Sequence, residues 1–179
     1  MARGAGRPYR GRSMTSFRSV LGTFGLAACA LLAPLRLSAQ AIPDSLGFLR
    51  VAPEDVKWVA DADGSGVERA TIAGDPAKPG IYVVRIKFPR GVMSRPHYHG
   101  EDRHAVVIQG TWYTGVGERF APDQTFPLRA GSYMLHPAGE KHFDGARDED
   151  VIVQIIGFGP TSTVRLQPEL GNFGPSLPR

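Results

Sequence analysis

The sequence predicts an all-β domain, an antiparallel sandwich or barrel, and three observations carry that expectation. Twenty-two Gly and 15 Pro among 179 residues make turns frequent. Ile81 to Phe88 alternates, with Tyr82, Val84, Ile86 and Phe88 on one face and Arg85 and Lys87 on the other. Neither a long helical periodicity nor a repeat of solenoid length breaks the succession of short apolar stretches.

Residues 42–66 read as an N-terminal extension with a strand and a turn, broken by Pro43 and Pro53. Asp61-Ala62-Asp63-Gly64-Ser65-Gly66 reads as a hairpin loop, because the remaining ligands of a calcium loop, the closing Glu included, are missing. Val67 to Ala73 reads as a strand, and Gly74-Asp75-Pro76-Ala77-Lys78-Pro79-Gly80 as the loop before the alternating Ile81 to Phe88. His104 to Tyr113 is the next apolar stretch, with Gly110 inside it; Ser132 to His136 and Val151 to Phe158 follow. Arg119 to Gln124 is a loop or one helical turn. The turn spacing matches an antiparallel sandwich or barrel, and residues 167–179 read as an extended or disordered tail.

A hydrophobic content of 42% with 21% charged residues excludes a wholly disordered chain. The net charge of +4 is unevenly placed. Arg3, Arg7, Arg10, Arg12, Arg18 and Arg36 lie in residues 1–41, where there is no acid. The rest holds 15 basic and 17 acidic residues, so it has no excess with which to neutralise phosphates, and nucleic acid is not an expected partner.

Residues 1–41 read as an export signal, with Met14 as an alternative start. Arginines precede a nearly continuous apolar segment from Val20 to Leu35, and Ala39-Gln40-Ala41 fits an A-x-A cleavage site. The apolar run is short for a membrane span, and Pro34 and Arg36 interrupt its end, so no stable span is expected after processing. The expected location is periplasmic or secreted. Leu26-Ala27-Ala28-Cys29 offers an alternative, a lipobox anchoring the chain through Cys29, although apolar residues continue beyond it. Cys29 is the only cysteine, so the processed chain can form neither a disulfide nor a thiolate metal site. Any metal must be held by imidazole and carboxylate.

All five His lie between positions 97 and 142. His97 and His99 are an i, i+2 pair, whose side chains share one face of a strand. His142 follows the turn Pro137-Ala138-Gly139-Glu140-Lys141. Imidazoles converging from neighbouring strands suit zinc, iron, copper or nickel.

Two spaced motifs in this region resemble those of the cupin superfamily. The first runs from Gly91 through five residues to His97-Tyr98-His99 and ends at Gly110; the second joins Gly131, Pro137, Gly139 and His142, with Ala146 where Asn is usual. The resemblance covers about residues 67–166 and implies a small antiparallel jelly-roll barrel with one divalent transition metal inside, of Fe, Zn, Mn, Cu or Ni. It implies His97, His99 and His142 as ligands. The usual Glu ligand of the first motif falls on Arg103, which stays protonated and cannot ligate. His104 or His136 stands as an alternative fourth ligand. A one-residue slip would turn His104 to the opposite face from residue 103 unless a bulge restored it. A cupin that has lost its metal and keeps these His as polar lining is a further alternative.

The resemblance implies a mononuclear metal enzyme, dioxygenase-like, acting on a small molecule such as a diketone or thiol. Arg103 would then pair with a substrate carboxylate or enolate; the opposing expectation is an outward Arg103 paired with Glu101 or Asp102. Small cupins also resemble non-catalytic metal- and ligand-binding or sensor modules, including the zinc-binding cupin part of some anti-sigma factors. Trp112, Tyr113, Phe120, Phe126, Tyr133 and Phe143 are candidates for pocket lining or for core. Exposed strand edges make a homodimer an expected assembly.

Overall fold

A computed structural model describes residues 42–176. The expected export signal and Cys29 lie outside the described residues. Among those residues no helix is long and apolar enough to cross a membrane. The strands are β1 (Val59–Ala60), β2 (Glu68–Ala73), β3 (Gly80–Phe88), β4 (Val92–Ser94), β5 (His97–Tyr98), β6 (Arg103–Gln109) and β7 (Thr111–Val116). They continue with β8 (Phe126–Arg129), β9 (Tyr133–His136), β10 (His142–Ala146), β11 (Val151–Gly159), β12 (Val164–Arg165) and β13 (Phe173–Pro175). All the ladders are antiparallel.

One sheet has the order β1-β2-β3-β11-β6-β9; the other runs β12-β5-β10-β4-β13, with β7 joining β10 to β8. The two sheets pack as the all-β jelly-roll that the sequence predicts. Their inward faces follow the alternation of β3, where Tyr82, Ile86 and Phe88 are buried, and of β11, where Val151, Val153 and Ile155 are buried. These side chains meet Ala105, Val107, Trp112 and Ala146 in the main core. A second cluster of Met93, Ala121 and Phe143, with Phe120 and Tyr113 against it, covers the other face of β10. Strand β10 is therefore buried on both faces.

The stretch His104 to Tyr113, read as one element, is a hairpin that turns at Gly110. Its φ is +75°, and a Cβ there would lie 2.5 Å from the Asp150 carbonyl oxygen, so the turn demands glycine. The C-terminal stretch takes the extended of its two expected forms. Far from being loose, Phe173 to Pro175 pairs with Val92 to Ser94 as β13, and the Ser176 hydroxyl donates to the Ala146 carbonyl. A three-residue strand has little local signal of its own; its pairing partner lies some eighty residues upstream.

Candidate metal centre

Strand pairing builds the site from both sheets. In one sheet His97 of β5 stands opposite His142 of β10. In the other, Arg103 of β6 stands opposite His136 of β9. All four side chains are buried and line one cavity of about 630 Å³ between the sheets. His99, two residues after His97, is buried beside it, with ring centroids 4.9 Å apart. The rings of His97 and His142 lie 4.4 Å apart, and those of His99 and His142 5.3 Å apart. The expected trio therefore converges, with ligand atoms within 4.8 Å of one another.

Backbone carbonyls set the tautomers. His97 Nδ1–H donates to the Arg95 carbonyl at 2.8 Å, and His142 Nδ1–H donates to the Glu140 carbonyl at 3.0 Å. Both leave Nε2 as the lone-pair nitrogen facing inward. His99 Nδ1–H donates to the Ser162 carbonyl at 2.8 Å. Burial pushes the His97 ring down to about 3, against the upward pull of Asp144. Burial, and then the neighbouring Arg103 charge, push His99 down to about 3. Burial first, then His142 and Arg103, hold His136 far below the ordinary imidazole value. These are neutral imidazoles, the form that can ligate a metal.

Arg103 points inward, which settles its orientation against the surface ion pair with Glu101 or Asp102. Ala105 and Val107 share its face, while His104 lies on the other. Glu101 instead accepts from the Thr161 hydroxyl and the Ser162 amide, and Asp102 accepts from the Ala138 amide. Arg103 Nη1 donates to His99 Nε2 at 2.6 Å, and Arg103 Nε has no partner. Among the described residues no carboxylate lies within 4.0 Å of its guanidinium. Burial, with a smaller push from the Arg69 charge, lowers its proton affinity, yet a guanidinium stays charged.

His104 does not reach the cavity. The β6–β11 register runs without interruption from Arg103 to Val107, and its irregularity lies between Ile152 and Val153. No bulge therefore turns His104 inward. Its side chain is exposed and shares a 2.8 Å hydrogen bond with the Tyr133 hydroxyl. His136 does face inward, and its ring stacks on His142 with centroids 3.9 Å apart.

Asp144 was not among the residues singled out from the sequence. It follows His142 by two positions on β10, so both side chains share the inward face. That spacing was a usable signal. Asp144 Oδ2 lies 3.9 Å from His136 Nε2 and 3.8 Å from His142 Nε2. His136, His142 and Asp144 form a second group able to hold an ion. Among the aromatic candidates Trp112 lines the cavity, edge-on to His136; Phe143, Phe120 and Tyr113 pack in the second cluster, and Phe126 and Tyr133 are exposed. Arg69, which pairs with Asp61, and Arg165 also line the cavity.

The residues present fit a transition metal. Buried nitrogens of His136 and His142 have no hydrogen-bond partner, and natural interiors rarely leave such atoms unsatisfied. A small jelly-roll with an imidazole cluster held between its sheets defines a cupin. The chain belongs to the ChrR cupin-like domain family, whose model matches residues 47–162. Among solved structures it is similar to the polyketide cyclase RemF from Streptomyces resistomycificus, at 16% identity and a TM-score of 0.56, covering 66% of this chain and 85% of that one. It is similar to a cupin 2 conserved barrel domain protein from Rhodopseudomonas palustris, at 14% identity and a TM-score of 0.52, over 67% of this chain and 86% of that one. The DMSP lyase DddQ from Ruegeria pomeroyi DSS-3 matches at 17% identity and a TM-score of 0.51, over 67% of this chain and 61% of that one. At these identities the likeness shows the shared barrel alone. No curated protein sequence matches the chain closely enough to count as a relative.

Proposed function

We propose that the chain is an exported mononuclear metal enzyme of dioxygenase type, acting on a small molecule that carries a carboxylate or enolate. The observation that carries this reading is the juxtaposition of neutral, lone-pair-bearing imidazoles with a buried guanidinium that has no carboxylate partner, in one cavity. The cavity volume falls in the range of small-molecule sites, about 300–1,000 Å³. When bound, a divalent metal such as Fe, Zn, Mn, Cu or Ni would supply electron transfer or Lewis acidity.

The chain's own side chains do the rest. Arg103 pairs with the substrate's anionic group and fixes its orientation against the imidazoles. Ile86, Phe88, Trp112, Val153 and Ile155 line the cavity and limit water around the reacting group. Export is supported by the arginines, apolar run and Ala39-Gln40-Ala41 at the N-terminus. A second reading, a non-catalytic metal- and ligand-binding or sensor module, is favoured by Arg103 holding His99 Nε2, because that bond withdraws one imidazole from metal chemistry.

Metal analysis of protein purified without a His-tag, followed by oxygen uptake with a panel of 1,3-diketones and thiol carboxylates, tests both readings. Bound iron or copper with substrate-dependent oxygen uptake supports the enzyme. Bound zinc with stoichiometric ligand binding and no turnover supports the sensor. A protein that takes up no metal overturns both.

A further inference from the structure

The groups His97–His99–His142 and His136–His142–Asp144 overlap at His142, yet differ in what already engages their ligand atoms. In the first, the His99 ring lies against the Arg103 guanidinium, whose Nη1 is 2.6 Å from Nε2 and 2.9 Å from Nδ1. An ion on Nε2 would sit against a permanent positive charge. In the second, both nitrogens of His136 and the Nε2 of His142 are buried without a partner.

Asp144 completes that second group. Its Oδ2 is 3.9 Å and 3.8 Å from the two Nε2 atoms, too far for a hydrogen bond. Those separations suit a single ion bridging donors through bonds of about 2.0–2.2 Å each. The Asp144 backbone is held in place, since its amide donates to the Ser94 hydroxyl at 3.0 Å. Two imidazoles and a carboxylate partly neutralise a divalent cation, and this donor set suits zinc or iron(II).

Resting on the metal-centre reading above, we propose that Asp144 supplies the carboxylate ligand that residue 103 lacks, and that the ion is held by His136, His142 and Asp144. His99 then remains the hydrogen-bond partner of Arg103. The guanidinium keeps its place against the His99 ring when metal enters.

The test is zinc affinity, measured by competition with a chelating dye, for the full protein and for Asp144→Asn, His136→Gln and His99→Gln. Asp144→Asn and His136→Gln are each expected to weaken zinc at least about a hundredfold, the upper end of what losing an outer hydrogen-bond partner costs. His99→Gln is expected to stay within about tenfold. A loss in His99→Gln as large as that in Asp144→Asn overturns the proposal, as does zinc affinity unchanged in Asp144→Asn. If the unsubstituted protein binds no zinc, cobalt or iron, the metal-centre reading itself fails. X-ray absorption on the zinc-loaded unsubstituted protein covers the case in which a variant does not fold: two imidazoles with a carboxylate oxygen support the proposal, and three imidazoles without one overturn it.

Discussion

His136 and His142 stack face to face, with ring centroids 3.9 Å apart and planes 17° from parallel, although they belong to strands in different sheets. The turn from Pro137 to Lys141 joins the two strands and sets the polar cluster between the sheets, where buried imidazoles with unpartnered nitrogens weaken the core unless a ligand satisfies them.

His142 belongs to both groups able to hold an ion, and so its removal distinguishes a metal centre from a polar lining. His142→Ala should lose most of the metal content after dialysis. It should also abolish the drop in melting temperature that a chelator causes in the unsubstituted protein, because metal bound only to the folded state stabilises that state. A full equivalent of metal retained by His142→Ala, with an unchanged melting temperature, would contradict the site.

Much of this site is legible in the sequence, for a physical reason. Strand alternation places His97 with His99, and the Gly–Pro–Gly spacing around Pro137 brings His142 back to the same interior. The same alternation separates Arg103 from His104 once no bulge intervenes, which sequence alone could not establish. Asp144 is not legible from the first motif, whose carboxylate position falls on Arg103, because the inward carboxylate stands on the other sheet. The strand at Phe173 to Pro175 escaped because its pairing is long-range and its composition is that of a turn.

His104 offers a control on the same strand. Its ring is exposed and bonded to Tyr133, so His104→Ala should retain the metal and change stability by less than about 1 kcal/mol, the scale of one exposed hydrogen bond. Metal content and a urea midpoint check both; loss of metal would mean that His104 turns inward when the site is loaded.

Acid should destabilise the metal-stripped protein. His97 and His99 fall from 6.5 to about 3 in the folded state, so between those values the unfolded chain binds more protons than the folded one. Their contribution to stability is intact above pH 6.5 and is lost as pH falls toward 3. Each costs up to about 1.4 kcal/mol per pH unit in that window. Urea midpoints of chelator-treated protein at pH 7.5 and 5.5 should differ accordingly, the lower pH being less stable. Equal midpoints would show that the rings are not held neutral.

Arg103 carries the last prediction, because it stands where a ligand carboxylate is usual and bears the opposite charge. Arg103→Glu removes the positive charge beside His99, frees Nε2 of that ring and supplies an inward carboxylate. Divalent affinity should rise, and binding of a small monocarboxylate such as propionate should fall at least about tenfold, the loss of roughly 1.4 kcal/mol expected when a charge-assisted hydrogen bond disappears. Arg103→Met separates the two effects. It should lose propionate binding to a similar degree while gaining less metal affinity than Arg103→Glu, since it removes repulsion without adding a ligand. Calorimetric titration with zinc and with propionate reads both. If Arg103→Met binds propionate as tightly as the unsubstituted protein, the guanidinium is not the anion-binding group; if Arg103→Glu binds zinc no more tightly, residue 103 does not reach the metal.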